Sequence, residues 1–203
     1  MTTSVSDGFR AISRGEPGGR RIAASFVAVA FLFVCVKSVG NFASYNLRAK
    51  SAEARTVLGG MKTQQASFEE KMGFYVSAGP MPVAPVPFGR SPWVPHEPCP
   101  ADCAATNPGA CQKFSCIDYR PSSDVYYQYA CTATASGGIH DFTCAATADL
   151  DRDGELSVFV YGTANRPGAK RIVASIPTNA PLGDCATERP VAGEIVNCTP
   201  DNF

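Results

Sequence analysis

IAASFVAVAFLFVCVKSV occupies residues 22–39, and NFASYNLRAKSAEARTVLGGMKTQQASFEEKMGFY follows over residues 41–75. The fold turns on how this junction is read. The first stretch is 18 residues long with one charge, Lys37, close to its end. As a helix rising ~1.5 Å per residue it covers about 27 Å, the depth of a bilayer core. Lys37 lies near enough to the end to snorkel to the interface. A cleaved secretory signal has a shorter apolar core followed by a small-x-small site; Ser38-Val39-Gly40 is the nearest approach to one. The stretch therefore reads as a retained membrane anchor.

The helical pattern continues beyond the anchor. Residues 41–75 hold no proline. Phe42, Tyr45, Ala49 and Ala52 step by three and four. After a phase shift Leu58, Met61, Phe68, Met72 and Tyr75 resume the step, with Gln65 filling the gap. Charged residues take the remaining positions, so one helix leaves the membrane and becomes amphipathic. From residue 22 to residue 75 it would run about 80 Å. Upstream, Arg10, Arg14, Arg20 and Arg21 precede the anchor, and Pro17-Gly18-Gly19 reads as a break. Lys37 at its far end and Arg48 and Lys50 beyond it are basic too, so charge alone gives a modest vote for a cytoplasmic N-terminus.

Downstream, residues 79–100 (GPMPVAPVPFGRSPWVPHEPCP) hold eight of the sixteen prolines. This reads as a stiff, extended connecting loop, with a ligand for a proline-reading domain as the other option. Four β-rich runs then follow, at 125–135, 140–150, 156–162 and 171–177, separated by turn residues. They predict three or four antiparallel strands. The implied architecture is α+β: a long membrane-spanning N-terminal helix on a small disulfide-rich antiparallel sheet. Its parts are a leader or cytoplasmic segment (1–18), the helix (19–78), a Pro/Cys-rich loop (79–124) and a sheet head (125–203).

Of nine cysteines, Cys35 lies in the apolar stretch and eight lie beyond it. An even number in an exported segment reads as disulfides, which also places the head outside the cytoplasm. Gly137-Gly138 is a candidate two-residue hairpin turn. In that register facing residues sum to 275, and Cys131 faces Cys144 as a close, non-hydrogen-bonded pair within disulfide reach. Cys99, Cys103, Cys111 and Cys116 form a cluster whose pairing stays open at this point. Their C-x3-C-x7-C-x4-C spacing lacks a C-x2-C knuckle, which argues against the four-thiolate zinc alternative.

The run over residues 41–75 resembles the segment just past the membrane in type IV pilins and pseudopilins. Tyr45, Ala49, Lys50, Glu53, Ala54, Leu58, Thr63, Gln64, Phe68 and Tyr75 carry the likeness. It covers residues 18–75, and the remainder in general plan only. The resemblance implies cleavage of a basic leader between Gly18 and Gly19. The fifth position is then Ala23, where the family usually carries glutamate, and Arg20 and Arg21 stand where the family is apolar. It further implies a Cys185–Cys198 bond closing the C-terminal loop, which leaves Cys99, Cys103, Cys111 and Cys116 to each other with three pairings open. The expected function is a structural subunit of a type IV pilus or secretion-type filament. It would sit in the inner membrane as a single-pass protein with its head periplasmic or on a surface filament. Its partners would be other pilin subunits and the pilus assembly machinery, and its service adhesion, motility, DNA uptake or protein secretion. The alternative is a non-polymerising anchored surface protein.

Asp149-Leu150-Asp151-Arg152-Asp153-Gly154-Glu155 matches the first half of a calcium loop, D-x-D-x-D-G. Its candidate ligands for Ca²⁺ are Asp149, Asp151, Asp153 and Glu155. The twelfth position is Val160, not a bidentate glutamate, and the following residues are strand-like, so this is no EF-hand. An Asp-rich turn whose carboxylates cap backbone amides is the other reading. Lys+Arg 18 balances Asp+Glu 18, so no basic surface suggests nucleic acid. No H-E-x-x-H, G-x-S-x-G or phosphate loop is present. His96 and His140 read as surface residues, and an enzyme is not expected. The Asn197-Cys198-Thr199 sequon is a weak glycosylation signal.

Overall fold

A computed structural model describes residues 17–83, 89–94, 97–103, 108–136, 139–163 and 193–200; within the first helix, side chains are described at Phe33 and from residue 42 onward. The chain divides into two compact units, residues 1–45 and 46–203.

The first element is helix α1, Pro17–Met72. Pro17 does not break it but opens it. A proline in the first turn forfeits an N–H that would be unpaired there anyway, and its φ already suits a helix. Among the described residues no helix is long and apolar enough to cross a membrane. The apolar stretch 22–39 is helical backbone, but its side chains, Phe33 excepted, lie outside the described residues. Phe33, Phe42 and Tyr45 are exposed. The helix stops earlier than the pattern predicts. Gly73, at φ 80°, takes the left-handed position, and its N–H donates to the Glu69 carbonyl at 2.7 Å, an αL cap. Phe74 and Tyr75 are then free to leave the helix axis.

In the second unit, Ser51, Ala54, Leu58, Met61 and Gln65 are buried in steps of three and four. Phe68 and Met72 continue the same stripe, packed partly buried on the core. This face meets a five-stranded antiparallel sheet in the order β1 (Ala78–Met81), β2 (Gln128–Ser136), β3 (Ile139–Ala148), β4 (Ser157–Gly162), β5 (Ile195–Asn197). Phe142, Cys144, Ala146, Phe159 and Tyr161 alternate toward the helix. The intervening residues Ala145, Val158 and Val160 form a second, smaller core with Cys198 on the opposite face. Both faces of β4 are therefore buried.

The β2–β3 register is the one the glycine pair predicts: Ser136 faces Ile139 and Cys131 faces Cys144. The turn residues 137–138 lie outside the described residues. Two strands depart from the sequence expectation. β1 falls where the reading placed the end of the helix and the start of the loop. Its Pro80 is accommodated because β1 is an edge strand, where a missing N–H costs no ladder bond. β5 is only three residues long, too short for periodicity to reveal. The expected strand at 171–177 lies outside the described residues. Val125 does not begin β2; it exchanges two backbone hydrogen bonds with Ser91 (2.8 and 2.9 Å), tying the proline-rich loop to the sheet.

Candidate functional site: the cross-linked head and its acidic loop

Three disulfides are formed wholly among described residues. Cys131–Cys144 bridges β2 and β3 with a Cα separation of 4.0 Å, under the helix. Cys103–Cys111 is nested inside Cys99–Cys116. Of the three pairings left open by the sequence, this concentric one is formed. It takes up all four sulfurs, so the grouping of Cys99, Cys103 and Cys116 is a product of bonding and not a thiolate metal site. Closing such loops stabilises a small domain by ~2–4 kcal/mol each, chiefly by restricting the unfolded chain. Cys198 is also disulfide-bonded and fully buried. Cys185, its expected partner, lies outside the described residues.

Two polar side chains on the buried helix face lock the sheet to it. The Gln65 carboxamide is completely buried. Its Nε2 donates to the Val76 carbonyl at 2.7 Å, and its Oε1 accepts the Val76 N–H at 2.9 Å. It acts as one rung of a strand for the chain that has just left the helix. Glu53 Oε1 accepts the Tyr126 N–H at 2.7 Å and the Tyr129 hydroxyl at 3.2 Å. Burial raises the Glu53 carboxyl above its ordinary value, and the Tyr126 and Tyr129 hydrogen bonds only partly oppose this. Burial likewise pushes the Tyr119 and Tyr127 hydroxyls up to about 12, and Tyr129, facing Glu53 as well, moves up further. The sequence places Glu53 among the charged positions of the amphipathic helix and Gln65 as the residue filling a gap in its apolar stripe. A polar residue on the apolar stripe was the signal available for Gln65. Nothing local marked Glu53, whose partners lie 73 and 76 residues away.

The acidic loop joins β3 to β4. Asp149 Oδ1 accepts the Arg152 N–H at 2.7 Å, and its Oδ2 accepts the Gly154 N–H at 3.2 Å. Asp153 Oδ1 accepts the Glu155 N–H at 2.7 Å. Arg152 and Gly154 both have positive φ, 72° and 88°. The carboxylates thus do cap amides, as the turn reading expects. They also converge: one oxygen from each of Asp149, Asp151 and Asp153 lies within 4.8 Å of the others, while Glu155 stands outside this group. Partial desolvation and the neighbouring Asp153 charge raise the Asp151 carboxyl above its ordinary value. A trio of hard oxygens of this kind suits a hard divalent cation. Val160, at the twelfth position, is buried in β4 and cannot ligate.

The sequon residues serve the fold. The buried Thr199 hydroxyl accepts the Val158 N–H at 2.8 Å, and Asn197 Oδ1 accepts the Thr199 N–H at 3.1 Å. His140 is half-buried on β3, and His96 lies outside the described residues. Gly18 and Gly19, the expected processing site, fall in the first turn of α1.

No family model, no curated protein and no solved structure matches this chain. Nothing in these comparisons identifies it as a type IV pilin, and the likeness rests on the residues quoted above.

Proposed function

We propose that this protein is a pilin-like structural subunit, held in a membrane by residues 22–39 before assembly and placed in a filament by helix packing. The observation that carries the reading is the continuity of α1. A single helix passes from an 18-residue stretch with one charge into the face that packs on a disulfide-bonded antiparallel sheet. A segment so apolar needs lipid or other apolar helices around it. The exposed rings of Phe33, Phe42 and Tyr45 are further apolar surface for a neighbouring helix to cover. The cross-links suit a head displayed outside the cytoplasm.

The test is to shear surface filaments from cells and read the N-terminus of this protein by mass spectrometry. Recovery in that fraction, starting at Gly19, is the expected result. Recovery only from membranes, with residues 1–18 intact, overturns the filament reading.

A second reading is favoured by the converging carboxylates of Asp149, Asp151 and Asp153: an anchored surface protein whose ectodomain binds Ca²⁺ without polymerising. Ala23 supports it, because it stands at the fifth position, where the resembled family usually carries glutamate, and an alanine offers no charge for a buried pair with a neighbouring subunit.

A further inference from the structure

A cleft of about 540 Å³ opens between β1 and the disulfide-bonded loop. That size lies within the ~300–1,000 Å³ range of ligand sites. Trp93, Phe114, Met81, Val83 and Val94 line it together with prolines of the 79–100 segment. Val83 and Val94 are 78% and 54% exposed. Among the described residues of unit 46–203, they are the large apolar side chains left exposed, and both face this one cleft. Trp93 is packed by Phe114, Tyr119 and Tyr129, which hold its ring in place. Its indole N–H makes no hydrogen bond to any described residue and is not walled off from solvent. A largely buried tryptophan normally finds an acceptor.

The chemistry of the rim narrows the occupant. Glu97 and Lys113 sit at the cleft and pair with each other, so the rim is neutral and does not select a strongly charged ligand. Pro80 and Pro82 carry no N–H, so β1 cannot offer an unbroken ladder to an added strand. What remains is an apolar, aromatic-lined cleft with the ring-packed Trp93 in its wall. This is the arrangement that reads polyproline II segments: proline rings lie against aromatic faces, and a peptide carbonyl accepts the indole N–H.

We infer that this cleft binds an extended, neutral, proline-containing peptide segment of a partner protein. The inference uses the head alone and is independent of filament assembly.

Trp93 is the only tryptophan in the chain, so its emission reports on the cleft directly. The full-length protein in lipid nanodiscs would be titrated with acetyl-hexaproline-amide, and with a Gly/Ser hexapeptide as control. The expected result is a saturable change in Trp93 emission with hexaproline only. Val94→Asp, at an exposed position, places a charge in the apolar wall and is expected to weaken binding at least ~10-fold, equivalent to about 1.4 kcal/mol. Trp93→Phe keeps a ring but removes the donor; followed by calorimetry, it should also weaken binding, with circular dichroism confirming the fold. No saturable change up to millimolar hexaproline, equal binding of the Gly/Ser peptide, or unchanged affinity in a folded Val94→Asp protein would each overturn the inference.

Discussion

Glu53 shows how one carboxylate can be both a clamp and a source of pH dependence. Its folded-state pKa is raised by burial, so the folded chain holds this proton to higher pH than the unfolded chain. The contribution from the protonated form is therefore complete below the ordinary glutamate range and is lost as pH rises through the folded value. Glu53→Gln keeps an oxygen to accept the Tyr126 N–H and the Tyr129 hydroxyl but cannot ionise. Melting curves measured from about pH 3.5 to 7 should show the variant gaining on the parent as pH rises above the ordinary glutamate range. Parallel curves would show that Glu53 is not held in a desolvated site. The paired glycines of α1 make a second contrast at this scale. A Cβ at Gly60 would meet the Tyr119 ring at 2.7 Å, whereas one at Gly59 meets nothing within 4 Å. Gly59→Ala should stabilise by up to ~1 kcal/mol through helix propensity alone. Gly60→Ala gains the same term but must displace a ring packed against Trp93, at a cost of ~1–3 kcal/mol. Thermal melts should rank Gly59→Ala above the parent and Gly60→Ala below it. In sequence the two glycines were indistinguishable, because the difference between them is a tyrosine 59 residues away.

Elements were legible wherever local chemistry fixed them. The glycine pair in the sequence predicts the β2–β3 register that the strands show, and with it Cys131 opposite Cys144. The three- and four-residue steps from Leu58 to Met72 gave the buried face of α1. β1 was missed because Gly79-Pro80-Met81-Pro82 reads as a breaker, and only the edge position of this strand makes its prolines harmless. The concentric pairing of Cys99–Cys116 and Cys103–Cys111 depends on the course of a whole loop, which spacing does not encode. The acidic loop lay between these cases: its motif was visible, but the convergence of three aspartates to the exclusion of Glu155 was not. If that trio holds a cation with the affinity of an extracellular module, Kd ~0.1–1 mM, then 10 mM CaCl₂ should stabilise the head by about 1.4–2.7 kcal/mol. That is a rise of several degrees in Tm, and Asp151→Asn should abolish it. A melting temperature indifferent to calcium would leave the loop as an amide-capped turn and remove the main support for the second reading.

At the scale of the whole molecule, the two compact units have different requirements for solvent. Residues 46–203 bury a core around Tyr127, Tyr129, Phe142 and Phe159 and fix it with disulfides. Residues 22–39 carry no polar face from which a water-exposed helix could be built. The filament proposal assigns that stretch to lipid first and to neighbouring helices afterwards, so it demands apolarity at the centre of the stretch and tolerates change near Lys37. An aspartate at the bilayer centre costs roughly 2.5–3.5 kcal/mol on insertion scales, and in a packed helix bundle it would remain buried without a partner. Phe31→Asp is therefore expected to eliminate the protein from sheared filaments, while Ser38→Asp, beside Lys37, should leave it there at near-parental levels. Immunoblots of the sheared and membrane fractions give the measurement, and the membrane fraction shows whether each variant is still made. If Phe31→Asp enters filaments as well as the parent does, packing of the apolar helix is not what assembles them, and the head must supply the contacts instead.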